Sequence, residues 1–264
     1  MRAKIGPMLM EARSVVRALR ANLDVHLGPV LVSGTLSEQL ARELAAGAAP
    51  GAVVAAHASR PGAAALVHVI AGEPTPADDE LVRRADRQGV PVVLVQLEPQ
   101  AQRKQSFVLT PFVVECRAGE GFPLPEIAGS LVDAMEYPVA LARRVPVLQE
   151  AVTEAVLGTA AIRAAIIGAL GARSKGTRPI LVLEQVRMLG ELRALTNAPA
   201  GGDALPVILG ISAATLGAGL VFRAAARSAP AALPAPAVGA VVAAAGTWAL
   251  GQAYRRLEAH IPSA

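Results

Sequence analysis

The residues of this sequence best placed to bind a phosphate lie at the turn Gly34-Thr35-Leu36-Ser37, which follows the apolar run that ends in Val32-Ser33. A glycine turn between a strand and a helix can hold an anion at the helix N-terminus, where backbone N–H groups are free. A working phosphate loop also needs Gly-x-x-x-x-Gly-Lys-Ser/Thr, whose lysine neutralises phosphates and whose hydroxyl binds Mg²⁺. The three lysines, Lys4, Lys104 and Lys175, all lie far along the chain from this turn. Gly34, Thr35 and Ser37 are therefore degenerate phosphate-loop positions, and we predict that Gly34 mainly makes a tight turn.

Three further groups of side chains are candidates for reactive or metal-binding sites. Cys116 stands beside Arg117, which would favour a reactive thiolate, but we predict a buried small hydrophobe. His68 lies between two valines and is predicted to pack inside the protein. Asp78, Asp79 and Glu80 begin a helix, where acidic side chains complement the helix dipole, so capping is expected.

The sequence predicts no catalytic residue, no metal site and no bound cofactor. No Ser-His-Asp set or pair of carboxylates can be assembled from it with any specificity. The four scattered histidines and the single cysteine show no metal-ligand spacing, and one cysteine excludes a disulfide framework. Only one Trp and two Tyr are present for base stacking, so we expect no nucleic-acid partner.

Short apolar runs alternate with helical patterns in the first half of the chain. Strands are predicted over residues 29–33, 51–56, 65–70, 90–95 and 112–115, and helices over 37–46, 76–88 and 124–135, with Ser37 as an N-cap. Continuous apolar strands separated by helices favour a parallel, doubly wound α/β sheet covered on both faces. We place this domain at residues 23–137, after a basic amphipathic helix at 1–22, with the joint at Tyr137-Pro138.

Charge almost disappears in the second half of the chain. Residues 138–264 are predicted to form an all-α hydrophobic domain, with one or two Ala-rich helices over 139–170 and an amphipathic helix over 180–195. Between residues 204 and 254 the only charges are Arg223 and Arg227. Segments 204–222 and 231–252 are long enough to cross a bilayer. Arg223, Arg227, Arg255 and Arg256 would then lie at anionic headgroups.

Both halves resemble known bacterial domains. The glycine turn, followed by "ALVHVIAGEPTPADDELVRRADRQGVPVVLVQ" and "FVVECRAGEGFPLPEI", is similar in order and spacing to a GTPase domain of the Era/septin-like kind. That resemblance implies a P-loop fold, with guanine contacts where this chain has Gln96-Leu97-Glu98-Pro99 and a last loop at Glu115–Gly119. The family's lysines and aspartates are missing from these places. Residues 145–258 resemble the hydrophobic helical domain of unknown function attached to bacterial GTPases, which implies membrane association.

These observations predict a non-catalytic, membrane-associated regulatory or scaffold protein built on a pseudo-GTPase domain. The N-terminal domain is expected in the cytoplasm, because no signal peptide is visible. Its expected partners are membrane lipid and a competent GTPase or another copy of itself. Two alternatives remain, an atypical nucleotide-binding GTPase and a soluble helical interaction module.

Overall fold

The computed structural model describes residues 25–98, 110–117, 119–171, 178–196 and 234–259, together with Arg17 and Ala21. The chain divides into two compact units, Leu23–Val152 and a second unit formed by Met1–Asn22 with Thr153–Ala264. Apart from Arg17 and Ala21, the helix predicted over residues 1–22 lies outside the described residues. The same holds for the segment 204–222 and for Arg223 and Arg227.

The first unit is built on a parallel sheet, as predicted. Its described strands are β1 (Val30–Gly34), β2 (Val53–Ala55), β3 (Ala65–Ala71), β4 (Val92–Leu97) and β5 (Val113–Cys116). Their order across the sheet is β2-β1-β3-β4-β5, and each neighbouring pair is parallel. This is the order of flavodoxin-like doubly wound sheets.

Helices cover both faces of this sheet. They are α1 (Ser37–Leu44), α2 (Pro76–Arg87) and α3 (Leu124–Ala134). Val82 and Ala85 of α2 pack against Leu31, Leu66 and Leu94. Successive strand residues point to opposite faces, and the residues that alternate with these, such as Val67 and Val93, are also fully buried. Burial on both faces explains why the strands are continuous apolar runs.

The first unit continues past the expected joint at Tyr137-Pro138. A short helix, α4 (Pro138–Ala142), and a 3₁₀ turn, Pro146–Leu148, follow α3. The Arg144 carbonyl accepts from the amide of Ala49 at 2.8 Å, and the Arg144 guanidinium donates to the carbonyl of Leu27. These contacts tie the segment after residue 137 to the α/β unit.

Three long helices are described in the remainder of the chain. They are α5 (Gln149–Gly171), α6 (Arg178–Leu195) and α7 (Ala235–Ala259). Helix α5 accounts for most of the Ala-rich region, and α7 covers most of segment 231–252. Helix α6 lies where a helix was predicted over 180–195, but its apolar and charged residues are not separated onto opposite faces, so the predicted amphipathic character was wrong. The prediction of a helical region is confirmed for these residues.

The predicted N-cap of α1 was wrong by one residue. Leu36 is the N-cap, with φ 56° in the left-handed region, and Ser37 is the first helical residue. The amide of Thr35 is bound to the carbonyl of Val69 at 3.0 Å, which holds the turn against β3 and makes the chain enter the helix at Leu36. Within the described residues no side chain caps α1.

Gly34 is required by sterics as well as by its φ of 90°. A Cβ at this position would overlap the carbonyl oxygen of Val69, whereas a Cβ at Gly72, with φ 76°, meets nothing within 4 Å. We expect Gly34→Ala to lower the free energy of unfolding by about 1–3 kcal/mol more than Gly72→Ala, because both share the left-handed strain and only the first adds overlap. Urea unfolding of both variants measures this difference. Equal losses would show that Val69 does not constrain the turn.

Candidate functional site

The carboxyl ends of β1 and β3 form the topological switch point of the sheet. The chain leaves β1 toward β2 on one side and leaves β3 toward β4 on the other. Open α/β sheets bind ligands in the crevice at such a point. The structure places Gly34, Thr35 and Ser37 there, with the first two exposed and Ser37 half-buried. The three predicted phosphate-loop positions therefore lie where the fold would hold a ligand.

The turn at this edge lacks the groups that neutralise a phosphate. Its one amide with a described partner, that of Thr35, is bound to Val69. The first turn of α1 carries Glu38, and its N-cap Leu36 is 52% exposed. The described turn thus offers an apolar side chain and an acidic one, and it lacks the lysine and the metal-binding hydroxyl pattern of a phosphate loop.

The segments expected to contact guanine end at the same edge of the sheet. Gln96 and Leu97 are the last residues of β4, and Glu98 follows with a φ of 51°. The amide of Glu98 donates to the carbonyl of Cys116 at 2.9 Å, at the end of β5. The fold therefore brings the three regions of the resemblance together, while their residue types do not supply a guanine site.

A chain of hydrogen bonds, buried at Ser33 and exposed at Thr75, lies beneath the switch point. The Ser33 hydroxyl is 2.8 Å from Nδ1 of His68, and Nε2 of the same ring is 2.8 Å from Oδ1 of Asp78. The other carboxylate oxygen, Oδ2, accepts from the amide and the hydroxyl of Thr75, both at 2.7 Å. Thr75 is the N-cap of α2 and forms a capping box with Asp78. The chain joins β1, β3 and the start of α2.

The charge state of Asp78 fixes the direction of these bonds. Burial raises the pKa of the Asp78 carboxyl, but the hydrogen bonds from Thr75 and His68 outweigh it and hold the pKa below its ordinary value. An ionised carboxylate only accepts, so His68 Nε2 donates to it, and in the neutral ring Nδ1 accepts from Ser33. Every polar atom named here is then satisfied.

We predicted that no Ser-His-Asp set could be assembled, and this was wrong, because the structure joins Ser33, His68 and Asp78 by hydrogen bonds. Ser33 and His68 are register partners on neighbouring strands, so their side chains share a face. The sequence signal was a serine at the end of one predicted strand and a histidine inside another, followed by an acidic helix start. Ser33 is 1% exposed and His68 is 4% exposed. With both groups shielded, the arrangement supports the start of α2, and the predicted packing of His68 and capping by Asp78 are confirmed.

Cys116 is buried, as predicted. Its thiol donates to the carbonyl of Gly121 at 3.0 Å. Burial and the nearby Glu120 and Glu43 carboxylates raise the pKa of the Cys116 thiol. A raised pKa disfavours the thiolate, so the reactive-thiol interpretation beside Arg117 is wrong.

The helical unit exposes large apolar side chains. On α5 these are Ile162, Ile166 and Leu170, spaced four residues apart, and on α7 they are Val241 and Trp248. Of the helices that the structure describes, one, Pro146–Gly171, is long and apolar enough by length and composition to cross a membrane. About two thirds of its most apolar window is not buried, since the buried share is 33%. The spans predicted from the sequence are 204–222, which lies outside the described residues, and 231–252, most of which falls in α7, a helix that does not meet this measure of length and composition.

Of the four arginines predicted at the membrane interface, Arg255 and Arg256 are among the described residues. Arg255 is half-buried and Arg256 is exposed, at the C-terminal end of α7. In the part of the chain that the structure describes, no group of three or more His, Cys, Asp or Glu could hold a metal ion.

Comparisons with protein-family models, with curated proteins and with solved structures found no match to this chain. The class defined here is therefore structural, a doubly wound parallel α/β unit followed by an apolar helical unit.

The hydrogen bonds of Asp78 predict how much its replacement lowers the free energy of unfolding and how that loss changes with pH. Asp78→Asn would set an amide N–H against one of its hydrogen-bond donors, so we expect a loss of about 1–3 kcal/mol in unfolding free energy at pH 7. Asp79→Asn is the control, because the Asp79 side chain is 39% exposed and its ion pair among the described residues is with the exposed Arg83, and it should cost under about 0.5 kcal/mol.

The same variant tests the sign of the pKa shift. A carboxyl whose folded pKa is lowered contributes stability that is complete above its unfolded pKa of about 3.9 and is lost as the pH falls through the folded value. The gap between the parent protein and Asp78→Asn should narrow below about pH 4. Thermal melts between pH 7 and pH 3 measure it, and a gap independent of pH would contradict the assignment.

Proposed function

We propose that this protein is a non-catalytic, membrane-associated regulator or scaffold, in which the helical unit attaches to lipid and the α/β unit serves as a pseudo-GTPase module in the cytoplasm. The observation that carries the proposal is the outward-facing apolar surface of α5 and α7. Soluble proteins rarely expose contiguous apolar surface of this kind. A helix that is apolar on its outer face is typical of contact with lipid or with another apolar surface.

The α/β unit supports a binding role better than a catalytic one. At the switch point the Thr35 amide is bound to the carbonyl of Val69 and the Ser33 hydroxyl to the ring of His68. The exposed Leu36 at the same edge offers an apolar contact. We propose that the partner of this unit is a competent GTPase or another copy of the chain.

Nucleotide binding is the second candidate function. It is favoured by one observation, the N-terminus of α1, which starts at the switch point and which no described side chain caps. Free N–H groups at a helix N-terminus attract phosphates. Gly34, Thr35 and Ser37 would be the residues in contact.

Membrane recovery of charged variants tests the proposal. We expect Ile166→Asp to shift the chain from the membrane pellet to the soluble fraction, because an aspartate at a helix centre costs about 2.5–3.5 kcal/mol in insertion. Leu36→Asp is the matched control, since Leu36 is similarly exposed on the α/β unit, and its recovery should not change. Equal recovery of both variants with membranes would contradict the proposal.

Nucleotide assays separate the two candidate functions. A nucleotide that binds the folded state would stabilise it and raise its melting temperature. Because the turn at Gly34 lacks a phosphate-binding lysine, we expect no such rise with millimolar GTP or ATP, with or without Mg²⁺. Hydrolysis should stay at background, since the cationic groups that supply about 10³- to 10⁵-fold in related enzymes are missing. A nucleotide-dependent melting shift that Thr35→Ala removes would favour the nucleotide-binding function instead.

A further inference from the structure

Helices α5 and α7 are close antiparallel neighbours. A Cβ at Gly168 of α5 would overlap the carbonyl oxygen of Gly239 in α7, and a Cβ at Gly251 of α7 would overlap the side chain of Leu157. Residue numbers rise along one helix as they fall along the other, which defines the antiparallel direction. Small residues at such contacts let two helix backbones approach closely, as in membrane helix pairs.

Contacts of helix α6 fix the position of one ion pair along the axes of α5 and α7. Arg163 of α5 donates to Glu184 of α6 at 3.0 Å. The next residue, Gln185, donates to Thr247 of α7 at 3.4 Å, and both are buried. The Arg163–Glu184 pair therefore lies level with Thr247 and its neighbour Trp248.

The lengths of the uncharged stretches match a bilayer. In α7, residues 235–254 carry no charge, and Arg255 and Arg256 follow directly. At 1.5 Å per residue this stretch measures about 30 Å, the thickness of a hydrocarbon core. In α5, residues 155–171 contain a single charge, Arg163.

The outward surfaces of both helices fit acyl chains along this length. The exposed residues of α7 between Val241 and Ala249 are Val241, Ala245, Trp248 and Ala249, all uncharged. Those of α5 beyond Thr159 are Ile162, Ile166 and Leu170. The charged ends coincide as well, because the contact of Leu157 with Gly251 brings Glu154 near the level of Tyr254 and the two arginines that follow.

We infer that α5 crosses the bilayer with α7 packed antiparallel along it and α6 against both, with the Arg163–Glu184 ion pair inside the membrane and Arg255 and Arg256 at anionic headgroups. The inference rests on the proposed membrane attachment and adds which helices enter the lipid and how deeply. Charged side chains inside membranes are rare and almost always paired, which is the state of Arg163 with Glu184 and of Arg187 with Glu191 on α6.

Trp248 reports the depth directly, because it is the only tryptophan in the chain. It lies seven residues before Arg255, which corresponds to about 10 Å below the headgroups. With the full chain reconstituted in phosphatidylcholine vesicles containing anionic phosphatidylglycerol, we expect blue-shifted emission and strongest quenching by lipids brominated near mid-chain. Strongest quenching by headgroup-labelled lipids would overturn the crossing, since it would place Trp248 at the surface.

Alkaline carbonate extraction separates this inference from the proposed function. A chain that crosses the bilayer stays in the carbonate pellet. Recovery with membranes followed by release into carbonate would overturn the crossing and leave membrane attachment intact. Recovery in the soluble fraction before extraction would overturn both.

Paired substitutions test the position of the ion pair. Arg163→Leu alone would remove the hydrogen-bonded partner of Glu184 in lipid and leave it only the electrostatic interaction with Arg187, so we expect the carbonate-resistant fraction to fall roughly tenfold or more. The double variant Arg163→Leu, Glu184→Leu should restore it. The matched control is Arg83→Leu, which removes an exposed ion pair with Asp79 in the α/β unit and should change the fraction less than about twofold. A single variant that behaves like this control would place the pair in water and contradict the inference.

Discussion

The close approach of Gly34 to the carbonyl oxygen of Val69 determines how the carboxyl edge of the sheet is built. It pins the turn after β1 onto the end of β3, which consumes the Thr35 amide and puts Leu36 in the left-handed region. The same pairing of β1 with β3 aligns Ser33 with His68, and through His68 it anchors the start of α2 at Asp78. Where doubly wound domains commonly place a ligand, this domain makes hydrogen bonds within itself.

The helical unit is subject to a different constraint. Its interior holds large apolar side chains such as Leu157, Met188 and Leu189 and the buried polar pair Gln185 with Thr247, while other large apolar side chains at Ile162, Ile166 and Trp248 face outward. A soluble helix bundle normally presents polar groups on its outer surface. We therefore propose different tasks for the two units, contact with a protein partner for the α/β unit and contact with lipid for the helices.

Much of the fold follows from the sequence, because its local signals agree with its tertiary structure. The five apolar runs became strands since both sheet faces are covered, and the Thr75–Asp78 capping pattern marks the start of α2. The N-cap of α1 could not be read from Ser37, because the Thr35–Val69 contact across two strands decides where the helix begins.

The candidate site was less predictable, because it depends on strand register and helix orientation. Ser33 and His68 are 35 residues apart, and only their register brings them together. The outward direction of Ile166 depends on the packing of α5 against α7, which composition does not specify. Residue types alone were enough to locate the glycine turn at Gly34 and to show that no lysine lies near it in the sequence.

We propose that the helical unit needs an apolar environment that water does not provide. Sedimentation velocity of the purified full chain, after stepwise removal of detergent, tests it most directly. The account predicts that the chain stays dispersed only in detergent or lipid and forms large aggregates without them. A single sharp monomer boundary in detergent-free buffer would contradict it, because the exposed surfaces of α5 and α7 would then be compatible with water.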